Sequence, residues 1–188
     1  MELNWIELLA VVFGLVAVIF NTREIVWGWP TGIVGVVLSG ILFYQVRLYS
    51  DLILHILYVI LGFYGWYEWV YGGKDKSVLP VSTLLPHQWL PLVALGGAGM
   101  VAIGYWFDRY TDADLAYWDA FTTSFSLVGQ YLLAKKKLEN WLLWIVVDAV
   151  ASGIYLYKEL YLLALLYFLY LGLAAYGYHR WRKSMLYD

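Results

Sequence analysis

The chain contains no cysteine, which removes disulfides, thiolate metal sites and cysteine nucleophiles in one step. Charge is also scarce: aspartate, glutamate, lysine and arginine supply 14% of the 188 residues, against roughly 25% in an ordinary soluble domain. The few charges nearly cancel, leaving a formal net charge of −2 and no basic field with which to hold nucleic acid. Three histidines, His55, His87 and His179, are scattered without ligand spacing, so neither a metal site nor a cofactor is expected. Four prolines leave long stretches uninterrupted. What fills the chain instead is apolar: 63% of residues are hydrophobic, and the mean hydropathy is +0.67. A composition so far from the soluble balance identifies an all-α integral membrane protein, with the lipid bilayer as its first partner.

A helix needs about 20 apolar residues to cross the hydrocarbon core. Seven segments qualify: Leu3–Phe20, Val26–Val46, Asp51–Tyr71, Trp89–Phe107, Asp119–Ala134, Asn140–Tyr157 and Tyr161–Tyr178. The N-terminal stretch has Glu2 and Glu7 where a signal peptide carries positive charge, so it reads as a retained first helix. Most junctions are short and polar, but two longer ones, GGKDKSVLPVSTLLPHQ and DRYTDADLAYW, isolate the fourth segment. The expected organisation is therefore 3+1+3: a three-helix bundle over 1–72, a linker region with helix 4 over 73–114, and a second bundle over 115–188.

Cytoplasmic loops of membrane proteins carry the excess of lysine and arginine. With seven crossings, Arg23, Lys74, Lys76, Lys135, Lys136, Lys137, Arg180, Arg182 and Lys183 gather on one face, against Arg47, Arg109 and Lys158 on the other. This puts the C-terminus in the cytoplasm and the N-terminus outside. The two triplets match each other at a shift of 112 residues, Leu48-Tyr49 on Leu160-Tyr161, Tyr64-Gly65 on Tyr176-Gly177 and Trp69 on Trp181, whereas Ser39-Gly40-Ile41 matches Ser152-Gly153-Ile154 at 113. One linker helix between repeats makes them parallel, an arrangement known in transporters that bind at the repeat interface near the bilayer midplane.

Eleven tryptophans and 18 tyrosines exceed what interfacial belts need, so many must face an interior. Trp141, Trp144 and Asp148 stand at i, i+3 and i+7 and share one wall of the sixth helix. A carboxylate at mid-span costs roughly 2.5–3.5 kcal/mol on insertion scales and turns toward a cavity or partner. Beside two aromatic faces it suits a flat cationic ring, although a protonated or helix-bonded aspartate would fit the same pattern. The fifth helix carries a stripe of Asp119, Thr122, Thr123, Ser126 and Gln130, which must face protein or water. Gln130, with two donors and an acceptor to satisfy, is its best binding candidate, and the hydroxyls fit either binding or helix packing. Asp119, next to Trp118, and Asp51 are candidate helix caps. Asp51, His55, Tyr58, Gly62, Trp66 and Trp69 line one face of the third helix, where His55 is either a packed residue or a ligand and proton contact. In WGWPTGIVGVVLSG, small residues on one face permit close helix approach, and Pro30 marks either a kink or a shifted helix start.

These stretches resemble the PnuC family of bacterial vitamin transporters over nearly the whole chain: WPTGI at Trp29–Ile33, FYQVRLYSD at Phe43–Asp51, YGWYEW at Tyr64–Trp69, WDAFTTSFSLVGQ at Trp118–Gln130 and ENWLLWIVVD at Glu139–Asp148. The resemblance implies two parallel three-helix bundles joined by a linker helix, a plan similar to the SWEET sugar transporters. It also implies facilitated diffusion of an unphosphorylated vitamin across the bacterial inner membrane, with a cytoplasmic vitamin kinase trapping the product. The family motif is tryptophan, two residues, tryptophan, three residues, then often asparagine; Trp141 and Trp144 match it, and Asp148 replaces the asparagine. His55 stands where a nicotinamide riboside transporter can have glutamine. The expected substrate is nicotinamide riboside, with thiamine or riboflavin as alternatives from the same family, and the expected site is Trp141, Trp144, Asp148, Gln130, His55, Tyr58, Ser126 and Trp118. An enzyme is disfavoured, since there is no GxGD motif and Asp119 and Asp148 lie far apart in depth. A non-transporting receptor is the remaining rival, and a homo-oligomer is compatible with the sequence.

Overall fold

The computed structural model describes residues 5–186 other than 46, 48, 112 and 113. Leu3 and Val46 of the expected segments, Leu48 of the repeat match, and Asp112 and Ala113 of the second long junction lie outside the described residues. Seven α-helices account for nearly all of the rest: α1 (Trp5–Thr22), α2 (Gly28–Gln45), α3 (Tyr49–Tyr71), α4 (Pro86–Tyr110), α5 (Ala116–Ala134), α6 (Asn140–Tyr157) and α7 (Tyr161–Ser184). Six of them are long and apolar enough to cross a membrane, and α5 is the exception. Its polar stripe lowers its apolarity, and the same helix buries nine residues against its neighbours. Protein rather than lipid surrounds it, as the cost of unsatisfied polar groups in hydrocarbon requires.

Pro30 falls in the first turn of α2, where a missing N–H costs nothing, so it marks the start of the helix rather than a kink. Asp51 and Asp119 sit inside the first turns of α3 and α5 instead of capping them, where a carboxylate favours the positive end of the helix. α7 continues a full turn and a half beyond Tyr178, because nothing in GYHRWRKS breaks a helix.

Helix boundaries recur at a spacing of 112 residues. α2 and α6 coincide at both ends under this shift, α1 and α5 end together, and α3 and α7 begin together. The match of Ser39-Gly40-Ile41 at 113 is thus one residue out of the structural register. Turn chemistry explains the regularity. Glu24, Arg47, Lys136 and Glu159 all adopt positive φ of 51–61° just past α1, α2, α5 and α6. The following residue closes the helix end with a 6→1 bond, from Ile25 N–H to Phe20 O at 3.0 Å, Lys137 N–H to Leu132 O at 2.9 Å and Leu160 N–H to Tyr155 O at 2.8 Å.

Helices packed side by side form a closed ring, α1–α2–α3–α5–α6–α7 and back to α1, with α4 docked outside on α5. Gly35 lets α2 lie against the backbone of Ala10 and Gly14 on α1. At one end of the ring a tryptophan cluster fills the centre. Trp69 and Trp181 are 2% and 0% exposed and meet with ring centroids 5.7 Å apart. Each holds a second indole edge-on, Trp29 against Trp69 at 5.6 Å and Trp141 against Trp181 at 5.3 Å. Both outer indoles rest on glycine, Trp29 on Gly65 and Trp141 on Gly177. The central pair donates across the ring: Trp69 Nε1–H to Leu133 O at 2.9 Å, and Trp181 Nε1–H to Asn21 O at 3.0 Å.

A methyl group at Gly65 would sit 2.2–2.5 Å from the Trp29 ring, whereas one at Gly153 meets nothing within 4 Å. Gly65→Ala is expected to destabilise by about 1–3 kcal/mol, and Gly153→Ala to be neutral or stabilising by up to about 1 kcal/mol. Thermal unfolding of the purified variants in detergent checks the contrast.

Candidate functional site

Halfway along the ring, away from the tryptophan cluster, the third, fifth, sixth and seventh helices turn polar groups inward. Asp148 is the ninth residue of the 18 in α6 and 4% exposed. Among the described residues nothing donates a hydrogen bond to its carboxylate. Tyr58 on α3 and Tyr167 and Tyr170 on α7 lie within its electrostatic reach. A buried carboxylate without a protein donor, surrounded by tyrosines, is a place where an incoming cation supplies what the protein leaves missing.

Tyr58 carries the link to α5, because its hydroxyl bonds Ser126 Oγ. Ser126 Oγ also lies 2.9 Å from Thr123 O, which can only accept. The serine proton therefore goes to Thr123, and Tyr58 is the donor to Ser126. One lone pair of the Tyr58 hydroxyl stays free toward the interior. His55, one turn away on α3, places Nδ1 2.8 Å from Asp51 O. A carbonyl accepts only, so Nδ1 carries the proton and the neutral ring presents Nε2 as an acceptor. Phe43 and Tyr58 hold that ring edge-on, at 4.8 and 6.0 Å.

Of the residues expected from sequence, Asp148, Tyr58, Ser126 and His55 come to this level. Trp144 is half-buried against Gly129 of α5, and Gln130, also half-buried, follows on the same helix. Trp141 lies deeper, at 2% exposure, inside the tryptophan cluster, with its Nε1 unpartnered. Trp118 is 55% exposed at the start of α5, about 12 Å along the helix from Ser126, and the structure does not bring it to the others. Sequence reading missed Tyr155, Tyr167 and Tyr170, of which Tyr155 and Tyr167 pack at 5.1 Å and Tyr167 and Tyr170 at 5.8 Å. A signal existed, since the 112-residue shift carries His55 and Tyr58 onto Tyr167 and Tyr170. A separate cavity of about 810 Å³ opens between α4 and α5, lined by apolar residues such as Leu92, Leu95 and Leu127, and contains none of the Asp148 cluster.

Comparison with known proteins agrees along the whole chain. Residues 4–183 match the profile of the family described as nicotinamide mononucleotide transporter. The chain belongs to this transporter family. It is 26% identical over 208 residues to the nicotinamide riboside transporter PnuC of Escherichia coli K12, covering 97% of this chain and 87% of that one. A riboflavin/roseoflavin transporter, RibM of Streptomyces davaonensis, is 25% identical over 182 residues, with 94% and 84% covered. The crystal structure of the vitamin B3 transporter PnuC superposes with a TM-score of 0.75 at 28% identity, covering 95% of this chain and 81% of that one. The expected fold family and the multi-pass membrane character are thus borne out.

Trp144 and Trp141 separate by burial. Trp144→Ala is expected to weaken ligand binding by about 1–3 kcal/mol with little change in melting temperature, whereas Trp141→Ala should first lower stability, by about 3–5 kcal/mol. Calorimetric binding and thermal unfolding on the same preparations distinguish the two, and equal melting temperatures for both variants would refute the assignment.

Proposed function

We propose that the protein carries an unphosphorylated, ring-bearing vitamin across the bacterial inner membrane, with nicotinamide riboside the best fit and thiamine second. The single observation that carries this reading is Asp148, a buried carboxylate without a protein donor, set among Tyr58, Tyr167 and Tyr170. Both favoured vitamins are cationic aromatics. Trp144 stacks on the ring, Trp141 forms the floor toward the closed end, and Gln130, Ser126, Tyr58 and His55 bind polar atoms. The named relatives support a vitamin substrate, and the RibM likeness keeps riboflavin as the neutral alternative.

Although the family is described by the mononucleotide, the site argues for the nucleoside. α3, α5 and α6 contain no lysine or arginine, and a phosphate brought beside Asp148 would be repelled. Transport is read as facilitated diffusion, drawn inward by a cytoplasmic vitamin kinase. All seven helices cross the bilayer in this reading, α5 shielded by its neighbours, as two parallel three-helix units related by a two-fold axis and joined by α4. The recurrence of boundaries at 112 residues supports that arrangement. The lysine and arginine excess supports a cytoplasmic C-terminus.

Uptake into proteoliposomes should be saturable for nicotinamide riboside and at least ten-fold weaker for nicotinamide mononucleotide. Binding without flux would make the protein a receptor instead, and equal uptake of both compounds would end the nucleoside reading. Opposite charges about 4 Å apart attract by about 4 kcal/mol at an effective dielectric of 20 before desolvation is subtracted. Asp148→Asn, which keeps the shape and removes the charge, is accordingly expected to lose affinity for the cationic vitamin while changing little for a neutral ring analogue. Matching losses for both ligands would leave Asp148 as a hydrogen-bond acceptor only.

His55 generates a separate expectation from its fixed tautomer. His55→Gln retains an acceptor and should bind nearly as well as the parent, whereas His55→Leu should lose about 0.5–1.5 kcal/mol. Titration of both variants with the same vitamin decides it, and indistinguishable affinities would remove His55 from the site.

A further inference from the structure

Resting on the proposed two-fold, the ring has two seams where one half meets the other, α3 against α5 and α1 against α7. At the tryptophan-filled end they are symmetric in their indoles and different in everything else. On the α3–α5 seam, Lys135 Nζ bonds Glu68 Oε1 at 2.8 Å and stands 5.1 Å from the centre of the Tyr64 ring. Partial burial works against that ammonium, yet Glu68 and Tyr64 outweigh it and hold its pKa above the ordinary lysine value. The counterparts of Lys135 and Glu68 at the 112-residue shift are Arg23 and Arg180. Two cations face the α1–α7 seam where the other seam has an ion pair, and Arg180 reaches only the hydroxyl of Tyr176, on its own helix, at 3.4 Å.

Deeper in the ring the same inequality recurs. Tyr58 bonds Ser126 across α3–α5, while its counterpart Tyr170 faces Gly14, which has no side chain to bond. The chain leaving α3 adds a strap. Leu79 N–H bonds Trp69 O at 3.2 Å, Ser82 N–H bonds Lys136 O at 3.1 Å, and Leu138 N–H bonds Ser82 O at 2.8 Å. These bonds stitch the end of α3 to the α5–α6 turn. α4, docked on α5, has no equivalent on α1.

We infer that the tryptophan-closed end opens by parting α1 from α7, with the α3–α5 seam as the hinge, so that the vitamin passes between α1 and α7. Opening breaks the contact between Trp69 and Trp181 and the axial pair of Lys136 with Glu24, 3.0 Å apart. The strap and the Lys135–Glu68 pair persist. Like charges at Arg23 and Arg180 lower the cost of separation on the moving side, and the ion pair and strap raise it on the other.

Because the chain has no cysteine, two equivalent thiol pairs can be introduced without background: Arg23→Cys with Arg180→Cys, and Glu68→Cys with Lys135→Cys. Linking each pair with a reducible bis-methanethiosulfonate reagent should have opposite effects on nicotinamide riboside uptake into proteoliposomes. The first link should abolish uptake at least ten-fold, reversibly on reduction, and the second should leave it within about two-fold. The reverse pattern, block by both links, or block by neither overturns the inference. If the unlinked pairs carry no nicotinamide riboside, the substrate reading has failed, and spin labels at the same thiols decide the hinge in its place. Two distances at the first pair and one at the second support it; one at both, or two at the second, overturn it. As a milder probe, Arg180→Glu places an opposite charge beside Arg23 and should slow uptake by about two- to five-fold, an effect relieved by salt. An unchanged or faster rate counts against the α1–α7 opening.

Discussion

Lipid tails are as apolar as leucine, so helices in a bilayer gain no hydrophobic driving force by leaving lipid for each other. Close packing and a few bonds between helices must hold them instead. In this chain the indole N–H groups of Trp69 and Trp181 carry that duty, because each donates to a main-chain carbonyl at the end of a helix in the other half of the ring. Those carbonyls belong to the last turn of α5 and of α1, where no further helical N–H is available to satisfy them. Capping the helix ends and closing the ring are thus one set of bonds. Everything at mid-depth, from the Tyr58–Ser126 link to the isolation of Asp148, depends on the ring being shut there.

The helices were legible because long apolar runs have few other solutions in a membrane. α6 was bounded to the residue, and the others differed by two to six residues at their ends. Those differences arise where amphipathic or charged residues extend a helix into polar surroundings, as at GYHRWRKS on α7. Apolarity was the wrong measure for α5, the most protein-enclosed helix, since enclosure lets a helix keep hydroxyls and amides that lipid would penalise. The 112-residue repeat was visible in only a few identities. Its real register is written in turns, four residues of positive φ that share no common side chain, and side-chain identity does not report φ.

Asp148, Tyr58, Ser126 and His55 could be found from a helical face plus the rule that polar groups avoid lipid. Trp141 and Trp144 share that face, but depth divides them: three residues move an indole about 4.5 Å along the axis, enough to pass from the site into the tryptophan cluster. Such a distinction needs the position of α7, which no reading of α6 contains. Tyr167 and Tyr170 were hidden for a related reason. α7 is aromatic on every side, and only its partners reveal which tyrosines face inward.

Glu24 and Lys136 occupy corresponding places in the two halves, yet they are opposite in charge and bonded to each other. Lys136 is nearly buried and also covers the Trp69 ring at 4.8 Å. A symmetric homodimer can never build such a contact, because any residue on its axis meets an identical copy of itself. Two glutamates or two lysines there would repel. Joining both halves in one chain frees corresponding positions to diverge, so that the point of greatest mutual proximity becomes an attraction. The covalent linker that runs through α4 thereby permits an electrostatic asymmetry that assembly from identical subunits forbids.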